Sequence, residues 1–240
     1  MTKAWRDYWA TRSSGGHRYD DEDFLALEGA EKLQLLDGGA SLLDFGCGAA
    51  ELLSYLAPHY DVAVGCDFSP SMLANARQRL DAAGLSDVVL YEADDRTVWS
   101  LLTQPFDRVT AGQVVQYFDE DQLREFLKRA EAQLGSAGRI VLFDIIDPRL
   151  GYLFDLGLLA GAGRQRFFGV AVLLRAVRRS ARTTVRMARG LPRREMGQGH
   201  HPERVKELAA EVGLRCEVSW SRYYEYRYHA VLTRELSGPG

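Results

Sequence analysis

Apolar runs alternate with amphipathic stretches between residues 41 and 146. Runs rich in Val, Ile and Leu predict five short buried strands, with the sequences SLLDF, VAVGCD, VVLYEA, FDRVTA and RIVLFDII. The stretches between them predict helices over 49–57, 70–83, 97–102 and 120–134. Because strands that alternate with helices are joined by right-handed crossovers, this pattern predicts a parallel sheet with helices on both faces.

Local signals mark some helix ends. Ser69 followed by Pro70 predicts a helix start, with the serine as cap and the proline at the first helical position. Gly135 and Gly138 are expected to end the fourth helix before the fifth strand.

The pattern changes after the fifth strand. Residues 201–213 predict a helix, and 214–221 and 227–234 predict two strands joined through YYEY. This connection has no room for a crossover helix, so the two strands should form an antiparallel hairpin. The predicted fold class is therefore α/β. It is a Rossmann-like doubly wound sheet of five parallel strands followed by a C-terminal antiparallel β-hairpin, with a helical insertion after strand five.

The composition of the chain indicates a cellular compartment and an uneven distribution of charge. The chain has 240 residues, three scattered cysteines and a net charge of -3, and its N-terminus lacks the apolar core of a signal peptide. These features predict a cytoplasmic protein in a reducing environment. Residues 148–201 contain eleven arginines against two acids, a net charge of +9, so the rest of the chain carries -12. We expect one domain over 1–240, with an N-terminal helical lid over 1–37 and an Arg-rich helical insertion or substrate lid over 148–200.

A glycine loop follows the first strand. A dinucleotide fingerprint beginning at Gly46 and Gly48 would need its third glycine at position 51, where the chain has Glu51. A carboxylate there would repel a pyrophosphate, whereas a ligand with an ammonium group and no phosphate would be compatible. The loop therefore argues against NAD.

Acidic residues follow the next two strands. Asp67 lies 19 residues beyond Gly48, where a carboxylate can accept hydrogen bonds from both ribose hydroxyls. Asp94 and Asp95 end the third strand and suit the exocyclic amine and a ring nitrogen of adenine. An adenosine with a positive appendage and no phosphate is S-adenosylmethionine.

The motifs DFGCGAA, GCDFSPSML, ADD, FDRV and LGSAGRIVL occur in this order over about residues 40–146. They resemble the ordered motifs of class I S-adenosylmethionine-dependent methyltransferases. The resemblance implies methyl transfer from S-adenosylmethionine, with S-adenosylhomocysteine (SAH) as product and no metal. The chain departs from the family at Ala50, where a third glycine is common. We expect alanine to fit there if its φ is negative.

The resemblance also implies a cofactor-binding set. Within it, Asp44 favours the cofactor's ammonium group, Gln113 offers that group its backbone carbonyl, and Phe68 and Met72 flank the adenine. Separately from the resemblance, Trp5, Tyr8, Trp9 and Arg12 recur at helical spacing near the N-terminus. As a lid, this helix could cover the cofactor with Tyr8 and meet its carboxylate with Arg12, or it could pack its aromatic side chains on the domain. The predicted set is Asp44, Gly46, Gly48, Asp67, Phe68, Met72, Asp94, Asp95, Gln113, Tyr8 and Arg12.

Three residues are candidates for the acceptor side. His200 and His201 follow the insertion and could supply a general base, and Tyr117 could contact the acceptor after the fourth strand. No HxxxD motif, CxxC motif or carboxylate cluster indicates a metal.

The acceptor itself is left open by the sequence. The insertion could be a lid whose arginines bind an anionic small molecule, an element that contacts anionic lipid, an RNA-binding segment, or helices with solvated arginines. RNA binding has little support, because the arginines are not interleaved with glycine and no RNA-binding module is present.

The favoured function is methylation of a small molecule, in particular O-methylation of a sugar or secondary metabolite. A non-catalytic module that binds S-adenosylmethionine and assists a partner enzyme is the alternative, as is a methyltransferase for a lipid-linked acceptor or RNA. The sequence does not indicate an oligomeric state.

Overall fold

The computed structural model describes residues 22–155 and 199–235 continuously. It also describes positions 7, 9, 158, 159 and 197, and eight positions between 174 and 188. The described strands are β1 (Ser41–Phe45), β2 (Val62–Asp67), β3 (Val89–Glu92), β4 (Phe106–Gly112), β5 (Leu134–Ile146), β6 (Leu214–Trp220) and β7 (Arg227–Arg234). The helices are α1 (Glu22–Leu36), α2 (Leu53–Leu56), α3 (Pro70–Ala82), α4 (Glu120–Ala132), α5 (Pro148–Asp155) and α6 (Pro202–Glu211). Short 3₁₀ turns lie at Ala57–His59, Val98–Ser100 and Val115–Tyr117.

The strands form one seven-stranded sheet in the order β3-β2-β1-β4-β5-β7-β6. β1 pairs in parallel with β2 and β4, and the outer pairs β2–β3 and β4–β5 are also parallel. β7 is antiparallel to both β5 and β6. The predicted doubly wound sheet with a terminal antiparallel hairpin is confirmed. Its strand order reverses beside β1, so the carboxyl ends of β1 and β4 flank a crevice.

Both faces of the sheet are buried, as expected for parallel strands between helices. Successive residues of β1 face opposite layers: Leu42 packs with α1 and α3, whereas Leu43 and Phe45 join the other layer. In that layer Phe45 stacks on Trp99 at 6.0 Å between ring centroids and contacts Phe126 of α4 at 4.9 Å. These contacts fix the end of β1, from which the glycine loop begins.

Two predicted boundaries differ from the structure. The helix expected over 49–57 is reduced to α2, because Ala50 has a left-handed backbone (φ 59°) that interrupts helical geometry. Gly135 and Gly138 lie within β5, since α4 has already ended at Ala132. A Cβ on Gly138 would lie 2.9 Å from the Leu134 Cβ. The glycines thus permit an irregular strand start and do not end the helix.

Within the described part of the chain, every helix is too short or too polar to cross a lipid bilayer.

Candidate cofactor site

A cavity opens at the carboxyl ends of β1, β2 and β4, where the crossover topology leaves a crevice. It extends from α1 and the glycine loop to the turns after β3 and β4. Its described lining residues are Trp9, Lys32, Asp44, Phe45, Gly46, Cys47, Gly48, Glu51, Leu52, Asp67, Phe68, Met72, Ala93, Asp94, Asp95, Gly112, Gln113, Val114, Tyr117 and Phe118. Nine residues of the predicted cofactor set are among them, and so is Tyr117. Their role as ligands stays a prediction.

The glycine loop forms one wall of the cavity. Gly46 and Gly48 both have left-handed backbones, with φ of 71° and 56°. The amides of Gly46 and Cys47 donate to the Cys66 carbonyl at 2.8 Å and 2.9 Å, so the loop is fastened across the end of β2. A Cβ on Gly46 would collide with the Val114 side chain. Gly46 is therefore required both by the turn and by the close approach of the wall after β4.

Ala50 continues this loop in a conformation that alanine adopts only with strain. Its amide donates to the Cys47 carbonyl at 2.9 Å, and its φ is 59°. The condition under which alanine was expected to fit, a negative φ, is therefore not met. A left-handed L-residue costs about 1–2 kcal/mol, which a glycine would avoid. The backbone at Ala50 thus has the left-handed geometry that glycine adopts without strain.

Asp67 is held by the loop that it faces. Its Oδ2 accepts a hydrogen bond from the Gly48 amide at 3.1 Å, and its Oδ1 accepts one from the Ser69 amide at 2.9 Å. Burial raises the pKa of Asp67, and these amide hydrogen bonds oppose that rise. A carboxylate has about four lone-pair directions, so both oxygens can also accept from ligand hydroxyls. Asp67 is thus preoriented to receive a diol such as a ribose.

Asp44 is a buried carboxyl at the other end of the loop. The Thr110 hydroxyl donates to its Oδ1 at 2.8 Å. Burial raises the pKa of Asp44 to about 7. Thr110 and the Lys32 ammonium lower this pKa, whereas Asp67 and Glu51 raise it further. A ligand cation placed here would restore the ionised form, since an opposite charge favours ionisation. The Asp44 end therefore suits an ammonium or sulfonium group.

The turn after β3 carries Asp94 and Asp95, the residues predicted to contact adenine, and its hydrogen bonds are formed within the protein. Asp94 Oδ1 accepts hydrogen bonds from the amides of Arg96 and Thr97, both at 3.1 Å. The carbonyl of Asp95 accepts from Trp99 Nε1 at 2.8 Å. These bonds fix the direction of Asp94 and Asp95 at the cavity wall. Phe68 and Met72 line the same end.

Residues after β4 complete the cavity. Gln113 has a left-handed backbone (φ 60°), and its amide donates to the Phe143 carbonyl at 3.0 Å. Tyr117 lies on the following 3₁₀ turn, and its ring centroid is 5.9 Å from that of Trp9. Trp9 thus lies at the cavity beside Tyr117. Tyr8 and Arg12, which the helical spacing had singled out, lie outside the described residues.

The two adjacent histidines have different surroundings. His200 is buried, its Nε2 lies 2.9 Å from the Val115 carbonyl oxygen, and burial lowers its pKa. Its ring is therefore engaged by the turn that carries Tyr117. His201 is half exposed, with Nδ1 3.9 Å from Oδ1 of the buried Asp147. The described lining of the cavity includes neither histidine. Of the two, His201 is the more exposed, and its catalytic role stays a prediction.

Two charged residues at the cavity were not assigned a ligand role from the sequence. Lys32 is a buried lysine of α1, and Glu51 is buried beside the glycine loop. The sequence feature that could have pointed to Lys32 is its position in a helix whose other side chains pack on the sheet. For Glu51 the signal was its replacement of the fingerprint glycine, which indicated the kind of ligand but not a contact.

Comparisons with known proteins agree with this geometry. Residues 42–138 match a family model described as methyltransferase domain. Methoxy mycolic acid synthase MmaA3 from Mycobacterium tuberculosis is 26% identical over 149 residues, which are 58% of this chain and 50% of that protein. The chain therefore spans about half the length of the curated relatives that it matches.

Solved structures share the fold. An O-methyltransferase family protein from Burkholderia thailandensis superposes with a TM-score of 0.58 at 15% identity, over 90% of this chain and 56% of that one. The DhpI–SAH complex gives a TM-score of 0.63 at 16% identity, over 95% and 94%. Residues 42–138 therefore resemble a methyltransferase domain, and the chain shares the fold of solved S-adenosylmethionine-dependent methyltransferases. The DhpI structure contains SAH, and in this chain Asp67 is preoriented for a diol while the buried Asp44 suits a cation.

Proposed function

We propose that the chain transfers a methyl group from S-adenosylmethionine to a small-molecule acceptor, an oxygen nucleophile on a sugar or secondary metabolite. The observation that carries this proposal is the convergence of Asp44, Asp67 and the glycine loop on one cavity. A site without cofactor chemistry has no need of a buried carboxyl, a preoriented diol acceptor and two left-handed glycines together. The Burkholderia thailandensis O-methyltransferase family protein, which has the same fold, supports the choice of oxygen.

The bound cofactor supplies an electrophilic methyl group on a sulfonium. The chain's residues must hold the acceptor oxygen in line with the S–C bond and keep water out, which is the main source of rate enhancement for such a displacement. The C–O bond forms as the S–C bond breaks, SAH leaves, and the hydroxyl proton must go to a base. Tyr117 lies at the cavity wall where an acceptor could contact it.

His201 is the proposed proton acceptor, and its Nδ1 lies 3.9 Å from Asp147 Oδ1, beyond hydrogen-bond distance. The Asp147 carboxylate is buried, and Arg149 bonds to it at 2.7 Å, which helps to hold the pKa of Asp147 below its ordinary value. An ionised Asp147 beside His201 would favour the imidazolium that forms after proton transfer. This arrangement follows β5, at the sheet edge where an acceptor enters.

The Arg-rich insertion is proposed to cover the acceptor. Arg178 and Arg182 are exposed, and with the net charge of +9 over 148–201 they would attract a phosphorylated or carboxylated acceptor. A second candidate is a lipid-linked acceptor. Three apolar residues near these arginines are largely exposed, which favours contact with an anionic lipid surface. They are Leu174 at 57%, Val177 at 59% and Val185 at 49%.

The first experiment is calorimetric titration of the purified chain with S-adenosylmethionine and SAH, with NADH as the control. We expect micromolar-range affinity for the first two ligands. Tighter binding of NADH would contradict the proposed cofactor. SAH release with a panel of hydroxylated and phosphorylated acceptors then tests turnover. Binding without turnover for any acceptor would favour the non-catalytic module.

The second experiment separates the two acceptor classes. Replacing Arg178, Arg179 and Arg182 with Gln should raise the KM of an anionic acceptor and flatten its salt dependence, with cofactor affinity unchanged. Release of the same variant from phosphatidylglycerol vesicles in a sedimentation assay would favour the lipid-linked acceptor. If neither quantity changes, the arginines are a solvated surface.

A further inference from the structure

Lys32 of α1 lies at the cavity as part of a buried ionic cluster. Its Nζ is 2.9 Å from Asp144 Oδ2 and 3.3 Å from Glu28 Oε2, and all three side chains are 1% exposed. Among the charged residues in the described lining, Lys32 is the one cation. The others are the acids Asp44, Glu51, Asp67, Asp94 and Asp95. An ammonium at this wall is therefore the exception that requires an explanation.

The position of the Lys32 ammonium depends on Asp144, whose backbone is fixed by several contacts. Asp144 has a left-handed backbone (φ 56°), and it lies where the pairing register of β5 with β7 shifts between Leu142 and Ile145. Its amide donates to His229 Nδ1 at 3.2 Å, and its carbonyl accepts from Arg227 Nη1 at 2.8 Å. A non-glycine residue in this conformation costs about 1–3 kcal/mol and persists only where its surroundings determine it. The strand bulge brings the Asp144 carboxylate to α1, where it holds the Lys32 ammonium.

The location of Lys32 along the cavity follows from Asp44. Lys32 and Asp44 both line the cavity, and the Lys32 ammonium is close enough to lower the pKa of Asp44, so we place both at the same end. The acids after β3 lie at the other end, with Phe68 and Met72. The Lys32 end therefore corresponds to the amino-acid part of a bound adenosyl ligand, which carries an ammonium and a carboxylate.

The charges of the cavity lining indicate which group of a ligand Lys32 could bind. A ligand carboxylate that enters a cavity with five acids in its lining is repelled unless a cation meets it. Asp44 can match the ammonium of the ligand but not its carboxylate. Asp144 and Glu28 compensate the desolvation of the Lys32 ammonium, so this cation can be kept at the cavity wall in its charged form.

We propose that Lys32 binds the carboxylate of the cofactor's methionyl group, and that Asp144 and Glu28 keep its ammonium at the cavity wall. This inference rests on the proposed function, because it assumes that the cavity takes S-adenosylmethionine. It makes the site selective for an adenosyl ligand that retains the carboxylate. Lys32 and Asp44 then orient the two charged groups of the amino-acid part in opposite directions.

The test compares two ligands that differ only in this carboxylate, SAH and its decarboxylated analogue. Wild type should bind SAH at least about tenfold more tightly, the value of one charge-assisted hydrogen bond. In Lys32→Met, which keeps the length of the side chain, this preference should fall to within about twofold. A merely structural lysine would weaken both ligands equally and leave the preference unchanged, and that result would overturn the inference. Lys206→Met, at an exposed lysine of α6, is the matched control.

Other outcomes remain decisive if Lys32→Met does not fold, as thermal melting would reveal. Lys32→Arg keeps the charge and should retain a preference for SAH of at least about fivefold. Equal affinity of wild type for the two ligands would overturn the inference without any variant. If wild type binds neither ligand, the proposed cofactor has failed, which is a different result from binding without preference.

Discussion

The raised pKa of Asp44 leads to a pH dependence of cofactor binding. With a pKa of about 7 in the empty cavity, most of the Asp44 population is protonated at about pH 6 and ionised at about pH 8. Only the ionised carboxylate attracts the cofactor's ammonium group, so binding must release a proton at the lower pH. The apparent Kd equals the intrinsic Kd divided by the fraction of protein in which Asp44 is ionised. This relation predicts roughly tenfold weaker SAH binding at about pH 6 than at about pH 8.

Calorimetry at the two pH values, in two buffers of different ionisation enthalpy, measures both this affinity change and the protons released. Asp44→Asn keeps the shape of the side chain and an acceptor for the Thr110 hydroxyl. We expect weaker binding in this variant and a much smaller pH dependence. Titration of the ligand's own ammonium is common to both proteins and cancels in the comparison. A parallel change of Kd in wild type and Asp44→Asn would refute the reasoning.

Ionisation of Asp44, which favours cofactor binding, lowers the stability of the cofactor-free protein. Its folded pKa of about 7 lies above the ordinary value of 3.8. The folded state therefore binds the proton more tightly than the unfolded state, and this contribution to stability is lost as pH rises from about 4 to about 7. Asp44→Asn should consequently gain stability relative to wild type between about pH 6 and pH 8. Urea unfolding without cofactor measures this gain.

Five further substitutions test other parts of the site. Asp67→Ala should weaken S-adenosylmethionine binding by more than tenfold in calorimetry, since two charge-assisted hydrogen bonds at ~1.5–3 kcal/mol each are lost, and an unchanged affinity would remove Asp67 from the site. Ala50→Gly should change the free energy of unfolding by less than about 1 kcal/mol in urea. Relief of ~1–2 kcal/mol of left-handed strain there offsets the backbone entropy of glycine and the loss of a buried methyl. Gly46→Ala should be clearly destabilising, and equal effects of these two variants would contradict the strain argument. His201→Ala should lower turnover by roughly 10²–10⁴ with cofactor affinity within about twofold, whereas His200→Ala should lower the Tm. Near-normal turnover of His201→Ala would exclude it as the base.

The sheet and the strand-end acids could be predicted because both follow from short-range patterns. Apolar runs separated by amphipathic stretches specify parallel crossovers, and parallel strands place their carboxyl ends on one edge. Asp44, Asp67 and Asp94 end or follow three such strands, so their convergence needed no knowledge of side-chain packing. The hairpin followed similarly from the short YYEY connection.

Other features depend on contacts between distant segments. The φ of Ala50 is imposed by the loop's bonds across β2, and alanine itself would have favoured a negative value. A lysine in a helix ordinarily reaches solvent, so the burial of Lys32 depends on Asp144, which is 112 positions away along the chain. The pair His200–His201 seemed equivalent in the sequence. Because the backbone there is extended, adjacent side chains point in opposite directions and the two rings separate.

The contacts between α1 and the last strands have a consequence for folding during synthesis. Glu31 of α1 accepts a hydrogen bond from the Arg222 amide at 2.8 Å, 191 positions later in the chain. Asp144, which holds Lys32, bonds in turn to His229 of β7. A nascent chain can pair β1 to β5 as they emerge from the ribosome, but β5 then remains an unpaired edge. A chain stalled before Arg227 would carry every strand-end acid but lack the His229 and Arg227 contacts that fix Asp144 beside Lys32.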